Sequence, residues 1–160
     1  MTTTPISRRR MSRQAGFSAT ELIVVVAVIG IIMAASTPFF ISILRTSALR
    51  AGAEEFATVL GQARQLAIRD NTNICVTNNG ATAQYRISTC AGAVWTGQGT
   101  DAAGIIRLAN NITVSPAATT VVFNYIGLAN PAVVFTVRNP QDGATLSVNV
   151  ATSGRITIGP

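Results

Sequence analysis

Residues 22–44 carry no charge, and this run limits what the chain can fold into more than any other feature. From Leu22 to Ala35 it is apolar throughout, and only Ser36, Thr37, Pro38 and Ser42 soften it before Leu44. As a helix rising about 1.5 Å per residue, the stretch reaches ~34 Å, enough to cross the hydrocarbon of a bilayer. Arg8, Arg9, Arg10 and Arg13 precede it, whereas Glu54 and Glu55 follow it closely. That asymmetry places the N-terminus in the cytoplasm and the remainder outside, and Arg45 and Arg50 weaken it without reversing it.

Composition narrows the function classes. At 160 residues the chain has room for one modest domain plus an appendage. Apolar types make up 48% and charged types 11%, with a mean hydropathy of +0.40, which excludes intrinsic disorder. There is no His and there are only two Cys, which removes nearly every metal site and every His-based catalytic arrangement. The formal charge is +6, from twelve Arg and no Lys against six acids. Without the first sixteen residues eight Arg face the six acids, so the basic pI says little about the rest of the chain.

The N-terminal segment fits three export signals. One is an ordinary secretory signal cut near Ala34-Ala35-Ser36, which would release a secreted binding module. Another is a twin-Arg signal built on Ser7-Arg8-Arg9-Arg10-Met11. Neither explains Glu21, because a carboxylate carried to mid-bilayer costs roughly 2.5–3.5 kcal/mol and such residues usually have a partner. The run Gly16-Phe17-Ser18-Ala19-Thr20-Glu21-Leu22 closely resembles the class III signal of type IV prepilins and type II secretion pseudopilins. That resemblance implies cleavage between Gly16 and Phe17 by a prepilin peptidase, which also N-methylates Phe17. It makes Glu21 the fifth mature residue, the one that sets subunit register by meeting a neighbour's terminal amine. It also makes Pro38 the helix-kinking proline. The alternative for Glu21 is that it merely snorkels to the interface.

Past Leu44 the helical pattern continues in amphipathic form. Leu49, Gly52/Ala53, Phe56, Val59/Leu60, Ala63 and Leu66/Ala67 recur at steps of three and four, with Glu54, Thr58, Gln62 and Arg69 opposite. The pattern predicts a helix over 18–69, about 75 Å long, ending at the turn formers Asp70-Asn71-Thr72-Asn73. Strands are predicted at 73–77, 83–88, 104–108, 112–115, 120–125, 133–138, 144–150 and 155–158. Val121, Phe123 and Tyr125 would share one face, as would Val133, Phe135 and Val137, and Leu146, Val148 and Val150. Turns are marked by Asn78-Asn79-Gly80, Ile126-Gly127, Asn130-Pro131 and 139–143.

The expected class is therefore α+β, a long N-terminal helix packed on an antiparallel, sandwich-like β head. Four regions follow: a leader at 1–16, a transmembrane and assembly helix at 17–44, its amphipathic continuation at 45–70, and a periplasmic head at 71–160. Cys75 and Cys90 flank the first hairpin. In an extracytoplasmic head they would form a disulfide closing about fifteen residues, worth roughly 3 kcal/mol; in a cytosolic one they would be buried thiols.

Cys75, Cys90, Trp95 with Gly97, Phe123-Asn124-Tyr125-Ile126-Gly127 and Ser153-Gly154-Arg155 resemble the GspH/FimT-type minor pilins and pseudopilins. The resemblance implies a non-enzymatic filament subunit in the inner membrane, its head periplasmic, without metal or cofactor. Its partners would be the peptidase, other pilins or pseudopilins, an inner-membrane assembly platform and membrane lipid. DNA enters as an alternative partner, since some FimT-type pilins bind it through a Gly-Arg-x-Arg tail. Here the second Arg of that pattern is Thr157, and Arg86, Arg107 and Arg138 would have to join Arg155. The scattered acids offer no pair for acid–base work, because neighbouring Glu54 and Glu55 diverge by about 100° on a helix.

Overall fold

The computed structural model describes residues 16–109 and 111–160. The expected leader, with Arg8, Arg9, Arg10 and Arg13, lies outside the described residues apart from Gly16. Among the described residues, one α-helix, α1 (Ala19–Arg69), precedes nine strands. Two units divide the chain, the first running to Phe40 and the second covering Ile41–Pro160.

In the first unit Ser18 accepts the first helical bond, from the Leu22 N–H at 3.2 Å, and Glu21 lies in the first turn. There an acid complements the partial positive charge of the helix N-terminus. Pro38 sits inside α1 and deprives the Ala34 carbonyl of its usual N–H donor. Just before it, the Ser36 hydroxyl donates to the Ile32 carbonyl (2.8 Å) and the Thr37 hydroxyl to the Met33 carbonyl (3.0 Å). Each hydroxyl is thus satisfied within the helix, as a lipid environment requires.

In the second unit α1 buries Leu49, Gly52, Ala53, Phe56, Val59, Leu60, Ala63, Leu66 and Ala67, the face that the periodicity predicts. The strands are β1 (Ile74–Asn78), β2 (Thr82–Ile87), β3 (Ile105–Arg107), β4 (Thr113–Ser115), β5 (Thr120–Phe123), β6 (Ala129–Asn130), β7 (Val133–Arg138), β8 (Thr145–Val150) and β9 (Ile156–Gly159). They form two antiparallel sheets, ordered β3-β2-β1-β5-β6 and β4-β7-β8-β9. The buried helix face shares one apolar core with both sheets. Phe56 meets Phe135 of β7 edge to face at 5.0 Å, and the backbone at Gly52 lies against the Ile112 side chain, where a Cβ would not fit.

Two expectations need correction. Tyr125 does not share the face of Val121 and Phe123: β5 ends at Phe123, and Tyr125 is exposed in a turn. The Asn124 side chain ends the strand, its Oδ1 accepting from the N–H groups of Ile126 (3.2 Å) and Leu128 (2.8 Å). Asn130 is not a turn residue but the end of a two-residue strand, β6, paired with Val122. Asn78 also does more than mark a turn. Fully buried, its amide donates to the carbonyls of Val114 (3.0 Å) and Pro116 (2.9 Å), tying the end of β1 to β4 in the other sheet.

Candidate functional site

The residues expected to carry processing and register lie in the first unit. Gly16 and Phe17 precede the helix and are exposed, and a Cβ added at Gly16 would meet nothing. Neither crowding nor a positive φ therefore requires glycine there. From Leu22 to Phe40 every apolar residue is exposed, and no residue in the most apolar eighteen-residue stretch of α1 is buried. The core helix of a soluble protein would have most of that stretch buried. Water alone would penalise each exposed side chain by roughly 1.5–3 kcal/mol relative to burial, so this segment needs lipid or other helices around it.

In the second unit Cys75 of β1 and Cys90 are joined as a disulfide, their Cα atoms 5.1 Å apart. The Ser153-Gly154-Arg155 motif forms the turn between β8 and β9: the Gly154 N–H donates to the Ala151 carbonyl at 2.8 Å, and the Ala151 N–H to Arg155 at 2.9 Å. Gly154 has φ +74°, and an added Cβ would overlap the Gly127 carbonyl oxygen. Gly127 itself has φ +84° at the apex of the Asn124–Leu128 turn. The two turns are joined where the Ala129 N–H donates to the Thr152 carbonyl at 3.0 Å. From α1, Arg64 donates its Nε–H to the Gly127 carbonyl at 2.9 Å. The glycine of the motif thus serves close packing, whereas Arg155 is exposed.

The four arginines considered for DNA are divided between the sheets. Arg86 (β2) and Arg107 (β3) belong to one, Arg138 (β7) to the other, and Arg155 precedes β9. Arg86 donates to the Gly92 carbonyl at 3.0 Å, and Arg107 lies 3.9 Å from Asp101. Arg155 instead shares a groove with Arg64, lined also by Gly61 and Ile68 of α1.

The five acids after Glu21 have structural partners. Glu54 pairs with Arg50 at 3.2 Å, and Glu55 accepts from the Ala109 N–H at 3.0 Å. Asp101 accepts from the N–H groups of Ala103 and Ile105, and Asp142 from that of Ala144. Asp70 takes two hydrogen bonds from Arg69, which hold its carboxyl below the usual range.

Tyr85 is buried, and its hydroxyl donates to the Val59 carbonyl at 2.7 Å; burial pushes the phenol well above its ordinary value. Folded Tyr85 therefore stays neutral where the unfolded chain ionises, and stability falls as pH rises above the unfolded value near ~10. No Lys or His is present, and both Cys are bonded, so few other groups titrate there. Chemical denaturation should show stability falling by up to ~1.4 kcal/mol per pH unit above that point, and Tyr85→Phe should flatten the slope. An unchanged slope in the variant would contradict this assignment.

Residues 52–154, more than half of the chain, match the family described as "Type II transport protein GspH". The chain belongs to the GspH family. A search of curated proteins finds no match. Among solved structures, the chain is similar to the type IV minor pilin FimU of Pseudomonas aeruginosa in two crystal forms, at 18% identity in each. One comparison covers 69% of this chain and 92% of FimU with a TM-score of 0.52, the other 72% and 90% with 0.56. The minor pseudopilin EpsH from the type 2 secretion system of Vibrio cholerae aligns over 66% of this chain and 91% of its own, at 12% identity and TM-score 0.49. At these identities the FimU comparisons show the fold: one long N-terminal helix on antiparallel sheets. Membership places the chain in a family of type II transport proteins.

Proposed function

We propose that this GspH-family chain is a minor subunit of a type IV pilus or a type II secretion pseudopilus. Before assembly it is held in the inner membrane, with its head in the periplasm. A prepilin peptidase removes residues 1–16 and methylates Phe17. An inner-membrane assembly platform then moves the helix from lipid into contact with other pilins or pseudopilins. One observation carries this reading: the unburied apolar stretch belongs to the same helix, α1, whose later residues are built into the head core. A free secreted module, cut near Ala35, would lose the apolar stretch and keep only the later residues of α1.

Glu21 supplies register. Cleavage would create an ammonium at Phe17, and in a bundle of such helices a neighbour's ammonium can neutralise Glu21 in low dielectric. A subunit at the wrong axial height would leave both charges unpaired.

Because a Cβ at Gly16 meets nothing, Gly16→Val tests processing without disturbing the fold. Its intact mass should include residues 1–16; the same mature mass as the wild type would refute peptidase cleavage at this bond.

DNA binding by the head finds less support, given the division of Arg86, Arg107, Arg138 and Arg155 between sheets and the partners of the first two. Four phosphate contacts would give a log–log salt slope of about −3.6, and a single one about −0.9.

A further inference from the structure

The loop after β2 carries Trp95, the chain's single tryptophan, over a cavity of about 640 Å³. That lies within the ~300–1,000 Å³ typical of small-ligand pockets. Gln62, Gln65 and Arg69 of α1 line it, with Tyr85 of β2 and Gln98 of the loop.

The loop is fixed in advance. The disulfide ties its start to β1, the Trp95 N–H donates to the Tyr85 carbonyl at 3.0 Å, and Arg86 holds the Gly92 carbonyl. A Cβ at Gly97 would overlap the indole ring, and one at Gly104 would meet the Val94 side chain and the Trp95 carbonyl. Thr100 closes the tip, its hydroxyl bonding both the N–H and the carbonyl of Gly97 at 3.0 Å. The indole is thus held beside the Tyr85 ring, 5.8 Å between centroids, yet remains half-exposed.

Most of the polar groups at the pocket are neutral, and several are uncommitted. Among the described residues, the side-chain amides of Gln65 and Gln98 and the Trp95 indole N–H make no hydrogen bond. Gln62 accepts from the Tyr85 hydroxyl at 3.4 Å, leaving its amide NH₂ to donate. The one cation, Arg69, is already matched by the Asp70 carboxylate through bonds of 2.7 and 3.1 Å. An aromatic surface ringed by carboxamides suits a ligand with apolar C–H faces and many hydroxyls. It suits a phosphate less well, because the Asp70 carboxylate already neutralises the lining cation.

We propose that the Trp95 pocket binds a neutral pyranose glycan through the indole, Gln62, Gln65 and Gln98. Trp95, as the single tryptophan, reports its own occupancy. The test titrates the full chain, in a sugar-free detergent, with maltotetraose, galactotetraose and chitotetraose while tryptophan emission is followed. At least one should change the emission saturably, and Gln65→Ala and Gln98→Ala should each weaken it fivefold or more without lowering the melting temperature. No saturable change with any of the three up to ~20 mM, well above the millimolar constants of weak sites, would overturn the proposal. A response that both variants leave intact would overturn it too. So would a response to oligothymidylate alone, which would mark the pocket as a base-stacking site. Gly16 processing can fail with this result intact, and the reverse.

Discussion

Glu21→Ala should reduce incorporation of the subunit into filaments at least tenfold, while the chain still inserts in the membrane. Insertion depends on the apolar stretch, which the substitution lengthens by one residue. On the proposed register role, assembly depends on a charge that a neighbour matches. Loss of one partner of a buried ion pair costs roughly 3–5 kcal/mol, more than two powers of ten in an equilibrium. Removing the carboxylate strands the ammonium of the adjoining chain at that site. Glu21→Gln should fail as fully, because it keeps the shape and loses the charge. Quantifying the subunit in sheared filaments against the membrane fraction separates the two steps. Incorporation of either variant at the wild-type level would refute the register role and leave Glu21 as an acid that complements a helix N-terminus.

The second large effect falls on the head. Gly154→Ala should destabilise it by about 2–4 kcal/mol, since the residue has φ +74° and its new Cβ would overlap the Gly127 carbonyl. Part of the loss is strain at the positive φ. The rest is separation of the two turns and of the Arg64 bond to that carbonyl. For a head of this size the melting temperature should fall by roughly 10–25 °C. Arg155→Ala, one residue on, should shift it by no more than a few degrees, because Arg155 is exposed. Equal shifts would mean that the glycine is not required for packing.

The helix was readable because both signals in it are local. The uncharged run and the three-and-four spacing of Leu49 through Ala67 depend only on neighbours in sequence, and those positions are the buried ones. Strands such as β7 and β8 were readable for the same reason, their alternation set by one buried face. Tyr125 misleads because Val121, Phe123 and Tyr125 alternate correctly, yet the Asn124 side chain offers the backbone better bonds in a turn. β6 has two residues, too few for any period. Asn78 and Arg64 were illegible for a different reason. Their partners lie 36, 38 and 63 residues away, so only the folded chain shows that one ties the sheets and the other holds a turn. The motif around Gly154 stood out by resemblance, but its cause, a carbonyl from a distant turn, is a property of the packing. The Trp95 pocket is built in the same way, from a helix, a strand and a loop.

The account rests on the helix staying with the head after the leader has gone. Intact-mass and N-terminal sequencing of the protein extracted from native membranes test this directly. A chain that starts at Phe17, bears one methyl group on that amine and retains residues 17–44 is the predicted result. A chain that starts beyond Ala35, or one that still starts at Met1, would contradict it.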